Sequence, residues 1–190
     1  MKALNCFILV FLFTLPLYAA DSQVTVPIDK AETITVEKVK DGDSLKLANG
    51  QTLQLAGIRT PELHDTPRLP QEAKRFHKEV WQFRNVGDEA QRKVENFIKK
   101  ANNEILVESA SEAFDENQNL LGYAFAPVEK TMTPDGKTIV EAGGQNYVFL
   151  NSYLLQEGLA ELSEPIDPKH QLLFTNLETQ AKQEKKGLWS

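Results

Sequence analysis

Asp41-Gly42-Asp43 and Glu62 are the residues whose types and spacing could do chemistry in this chain. The stretch between them reads as strand, turn, strand and exit loop. Leu45 and Leu47 alternate with Lys46 and Ala48, and Asn49-Gly50 is a strong hairpin turn signal. Beyond the turn, Leu53 and Leu55 alternate with Thr52 and Gln54, the period of a half-buried strand. If the strands pair about Asn49-Gly50, Asp43 and the Glu62 that ends Thr60-Pro61-Glu62 come close in space. Two carboxylates at the mouth of a small β-structure suit a cation site, a general base, or both. Taken alone, the same fragment fits plain turn and loop chemistry equally well.

The elements that must position these residues follow in order. Thr33 to Val39 alternates β-branched and polar residues and is expected to be the first strand. From Gln71, Ala73, Phe76, Val80 and Phe83 recur at helical spacing, with Trp81 beside them. Asp88 is expected to cap the next helix, whose apolar face is Ala90, Val94, Phe97, Ile98 and Ala101. Strands follow around Ile105 and Val107, and from Leu120 to Phe125. Residues 126–146 read as an enlarged hairpin or loop, with pairing at Thr138 to Val140. A helix from Phe149 to Glu157 ends at Gly158. The last helix runs from Lys169 to Lys186, with Leu172, Phe174, Leu177 and Ala181 facing inward.

Residues 1–20 have the make-up of a signal peptide: Lys2, an apolar run from Phe7 to Leu17, and small residues at Ala19-Ala20. Residues 21–32 read as a linker, and 33–190 as one domain. The expected location is therefore exported, periplasmic or secreted, with no membrane association after cleavage. Cys6 is the single cysteine and lies in the targeting segment, so the mature domain would fold without disulfides. The net charge of −6 argues against broad affinity for nucleic acid. It leaves room for a local basic groove, since Lys74, Arg75, Lys78 and Arg84 cluster, as do Arg92, Lys93, Lys99 and Lys100. Solvated helix faces account for such runs as well.

The blocks Asp41-Gly42-Asp43-Ser44-Leu45, Gly57-Ile58-Arg59-Thr60-Pro61-Glu62 and Gly87-Asp88-Glu89-Ala90 resemble the staphylococcal nuclease (thermonuclease) family. So do Asn151 through Ala160, with Leu154-Leu155 and Gly158-Leu159, and the ending Gly187-Leu188-Trp189-Ser190. Each block is weak alone; their shared order is specific. The resemblance implies an α+β fold: a five-stranded OB-type β-barrel with about three helices. Residues 63–86 then stand as an insertion that adds a helix after the third strand and borders the site. His64, Arg68, Arg75 and His77 lie in it.

The resemblance also implies calcium-dependent cleavage of DNA or RNA, with single-stranded nucleic acid as the partner. It makes Asp43 a metal ligand, Thr60 a carbonyl near the metal, and Glu62 the base. Three positions depart from the family. Arg59 stands where a second metal carboxylate is expected, and an arginine cannot ligate calcium. Gln54 and Asn119 stand where two phosphate-binding arginines are expected, and neither brings a guanidinium fork. Losing one transition-state donor costs about 10²–10³ in rate. Two readings therefore compete. One is an exported nuclease-like binding module with lost or strongly weakened activity and no cofactor. The other is a phosphodiesterase with a rearranged site, retaining calcium. Within the first, Arg59 is expected to replace the cation and pair with Asp43, Glu62 or both. Within the second, Arg68 or Arg75 restores phosphate binding from the insertion.

Overall fold

The hairpin is where the sequence puts it. In the computed structural model, which describes Ile28, residues 30–133 and residues 135–190, β1 (Glu32–Val39) is followed by β2 (Ser44–Leu47) and β3 (Thr52–Leu55). The targeting segment and most of the linker lie outside the described residues. Leu45 faces Leu53 across the β2–β3 ladder, and Ser44 faces Gln54. Leu45, Leu47, Leu53 and Leu55 are all buried, as their alternation requires. A two-residue strand, β4 (Ile58–Arg59), leads into the Thr-Pro-Glu loop.

Barrel closure depends on distant chain. β5 (Glu104–Phe114) pairs with β1 and with β6 (Leu120–Val128), and β6 returns to β3 in parallel, with Leu53, Gln54 and Leu55 opposite Leu120, Leu121 and Gly122. The five strands β3-β2-β1-β5-β6 thus form a closed mixed barrel, which leaves no exposed edge among them. A second hairpin, β7 (Ile139–Ala142) and β8 (Gln145–Phe149), extends the sheet from β6 through the expected pairing near Val140. One further short strand, β9 (Glu161–Leu162), pairs with β4.

Four α-helices occur among the described residues: α1 (Leu69–Arg75), α2 (Val80–Lys100), α3 (Leu150–Gln156) and α4 (Pro168–Gln183). None is long and apolar enough to cross a membrane. The insertion differs from expectation. Its helical pattern breaks at His77, which adopts a positive φ of 55°. Val80 and Phe83 then belong to α2, so Asp88 lies inside a helix rather than capping one. The start lies at Glu79, whose N–H donates to Gln82 Oε1 at 2.9 Å. Gly87 sits mid-helix because a Cβ there would lie 2.6 Å from the Pro61 carbonyl oxygen. The helix backbone is thereby pressed against the Thr-Pro-Glu loop.

In α4 the expected inward set is corrected at one position. Leu172 is 63% exposed, and Leu173 takes the core place beside Phe174, Leu177 and Ala181. The core gathers Tyr123, Phe125, Phe149 and Phe174 with the barrel leucines. Buried polar clasps tie the helices to it. Asn151 Oδ1 accepts the Ala124 N–H at 3.1 Å, and its Nδ2 donates to the Ala56 carbonyl at 2.8 Å. The Asp167 N–H donates to Tyr123 Oη at 2.8 Å, while its carboxylate accepts the Ser111 N–H at 3.0 Å. Asn151 thereby fixes the end of β3 against β6, just before the Gly57-Ile58-Arg59 turn.

Candidate nuclease site and its cleft

Asp43 immediately precedes β2. It is buried, and its Oδ2 accepts the Thr60 N–H at 2.9 Å. The Gln54 side chain also donates to it. Asp41 lies alongside and accepts the Asp43 N–H at 3.2 Å. Burial first, and the Asp41 carboxylate second, push the Asp43 carboxyl well above the usual carboxylate range. Gly42 is needed between them, since a Cβ there would meet Ala90 Cβ at 2.6 Å and Thr60 Cγ2 at 2.7 Å. Packing of α2 thus holds Asp43 and Thr60 together.

Arg59 does not turn to Asp43 or Glu62 for its hydrogen bonds. Its Nη2 and Nε donate to Glu161 Oε1 at 2.8 and 3.2 Å, and Nη1 lies 3.7 Å from Glu72. The expected pairing with Asp43 or Glu62 is therefore corrected. Glu161 is its cross-strand neighbour in the β4–β9 pair, so the alternative partner is built into the register. Arg75, from α1, donates to the same Glu161 oxygen at 2.5 Å. Two arginines and two glutamates form one network that locks the insertion onto β4 and β9 and sums to no net charge.

Glu62 is exposed. It lines a cavity of about 340 Å³ with Arg59, Thr66, Pro67, Arg68 and Glu72, so the insertion does border the site. His64 and His77 are exposed. Asn119 is bonded within its own turn: its Nδ2 donates to Asp115 Oδ2 at 2.8 Å and its N–H to Oδ1 at 2.8 Å, closing the β5–β6 turn. Gln54 lines a larger cleft of about 740 Å³ between the β3–β4 turn, the β5–β6 turn and the segment after β9. Glu112, Asp115, Glu116 and Glu164 contribute to its lining, with Arg59 as the cationic member. None of these acids is among the residues the sequence singles out. Glu161 and Glu164 belong to the segment that reaches β4 only through long-range pairing.

Residues 52–190 match the family described as staphylococcal nuclease homologue. The chain belongs to that family. The match begins at β3, so the Asp-Gly-Asp segment is tied to the matched region through the β2–β3 ladder. No curated protein matches the chain. The barrel and the Thr-Pro-Glu loop carry the match, and residues 63–86 contribute α1 and the first turns of α2.

Proposed function

We propose that this chain is an exported member of the staphylococcal nuclease family whose nuclease activity is lost or strongly weakened, and that it serves as a binding module. One observation carries the reading. The cleft beside Gln54 is lined by Glu112, Glu116 and Glu164, with Asp115 closing the adjacent turn, and the guanidinium of Arg59 that shares it is bonded to Glu161. A nucleic-acid phosphate entering there meets repulsion instead of the positive donors that phosphoryl transfer requires.

The calcium implied by the family finds a poor donor set. Calcium takes six to eight oxygens, usually with several carboxylates. At Asp43 one oxygen is already bonded to the Thr60 N–H, and burial beside Asp41 disfavours its ionised form. The Arg59 position supplies no oxygen. We derive no catalytic step through the ion. Glu62 retains the place of a base, but a base without a held phosphate has nothing to act on.

The test is cleavage of single-stranded DNA and RNA by the purified protein, in calcium and in chelator. The expected outcome is no cutting above a no-protein control in either. Chelator-sensitive cutting would establish the alternative, a phosphodiesterase with a rearranged site.

A further inference from the structure

The cleft beside Gln54 has a second property besides its charge. Phe114, at the outer end of β5, is 46% exposed and lines it, as does Pro165. An aromatic ring of this size left half in water is an apolar anchor without a partner. The register of β5 against β6 is irregular between Ser109 and Phe114, which brings Phe114 opposite Leu120 at the strand end. A volume of about 740 Å³ lies within the range of sites that enclose a ligand or several side chains. Its apolar wall is bordered by Glu112, Asp115, Glu116 and Glu164.

Charge complementarity selects the occupant. Anionic ligands, nucleic acid included, are repelled by the border. A neutral apolar ligand would leave the carboxylates unused. We infer that this cleft docks a segment of a partner protein carrying lysine or arginine beside an apolar side chain, the apolar group resting on Phe114 and the cation on the glutamates. Lysine and arginine suit this role because their stems lie along apolar surface while their heads reach the carboxylates. The inference rests on reading the domain as a binding module. Cutting assays test that reading and peptide binding tests this one, so the two fail separately.

The experiment uses fluorescence anisotropy with the full domain and three labelled peptides of equal length: alternating Arg-Leu, alternating Arg-Ser and alternating Glu-Leu. Arg-Leu should bind, Arg-Ser should bind at least about fivefold more weakly, and Glu-Leu should not bind. Binding of Arg-Leu should weaken at least about tenfold in the Glu112→Gln/Glu116→Gln/Glu164→Gln variant. Phe114→Ala should weaken Arg-Leu toward the Arg-Ser level. All four positions are solvent-facing or tolerate the isostere, and thermal melting checks that the variants fold. A control variant with the same charge change, Glu37→Gln/Glu89→Gln/Glu104→Gln, should bind as the wild type does. Equal losses in the control and cleft variants would reduce the effect to overall acidity and overturn the inference. Indifference to Phe114→Ala, or tighter binding of an oligothymidylate than of Arg-Leu, would overturn it as well.

Discussion

Arg59 and Glu161 lie 102 residues apart in sequence and are joined by two hydrogen bonds from one guanidinium to one carboxylate oxygen. Their backbones are register partners in the β4–β9 pair. Arg59→Asp would therefore place a third carboxylate beside Glu161 and Glu72, with Arg75 and Arg68 as nearby cations. The variant should melt lower in chelator, by about 1 kcal/mol given the partial exposure of the pair. Calcium should raise its melting temperature, since a ligand of the native state stabilises it, while the wild type should show no rise. A wild-type rise equal to that of the variant would sink this assignment of Arg59.

Asp43 leads to the opposite kind of variant. Its carboxylate is buried beside Asp41 and its ionised form is disfavoured. Asn in its place keeps an oxygen for the Thr60 N–H and removes the charge. Asp43→Asn should stabilise the domain by about 1–2 kcal/mol near neutral pH, read by urea denaturation in chelator. A destabilised variant would mean that the carboxylate's hydrogen bonds outweigh the cost of burying it.

Restoring catalysis should need more than a metal site. Gln54→Arg and Asn119→Arg together with Arg59→Asp are expected to give measurable calcium-dependent cutting. Arg59→Asp alone should give none, because the phosphate would still lack its guanidinium donors. The assay is release of acid-soluble nucleotides.

His170 sets the acid limit of the fold. It is fully buried among Tyr123, Phe149 and Phe174, and neither ring nitrogen has a hydrogen-bond partner. Burial, with Lys169 next to it and Asp167 opposing, lowers its pKa from 6.5 to about 4. In the window between, the unfolded chain holds the proton and the folded chain does not. Stability is therefore full above pH 6.5 and is lost as pH falls toward 4, by at most about 3 kcal/mol. His170→Leu should flatten this part of the pH–stability curve, measured by denaturation at several pH values.

Trp189 joins the far end of the chain to the insertion. Its ring meets Phe76 edge-on at 5.1 Å, and Lys182 Nζ lies 4.4 Å over it. It is half-buried, so Trp189→Ala should cost about 3 kcal/mol, the low end for an aromatic core residue. Lys182 ties it to α4, while its aromatic partner comes from the segment between α1 and α2. A thermal melt at the wild-type temperature would show that contact to be without weight.

The barrel was legible wherever its pattern is local. Asn49-Gly50 and the alternating leucines define the β2–β3 hairpin without any tertiary information. The errors arose where tertiary contact overrides local preference. Asp88 looks like a cap because Gly87 precedes it, but that glycine serves a close approach to Pro61 and the helix runs through. Leu172 and Leu173 are adjacent apolar residues, and only packing against the barrel decides the helical phase. Arg59 stands next to the expected site residues in sequence, and its distant partner Glu161 has no signature there. The acidic lining of the cleft was hidden for the same reason, being gathered from the β5–β6 turn and the segment after β9.

The parallel closure of β3 on β6 also bears on how such a chain accepts new material. Those strands must find each other across a long intervening loop, and α1 with its flanks lies inside that loop. Loop-closure entropy grows only with the logarithm of length, so a segment of this size adds a few tenths of a kcal/mol at most. The same segment gains back contacts through Phe76 and Arg75. An insertion there is close to neutral for stability while it rebuilds one wall of the site. Long-range closure thus lets the segment beside the Thr-Pro-Glu loop vary in length without a matching risk to the fold.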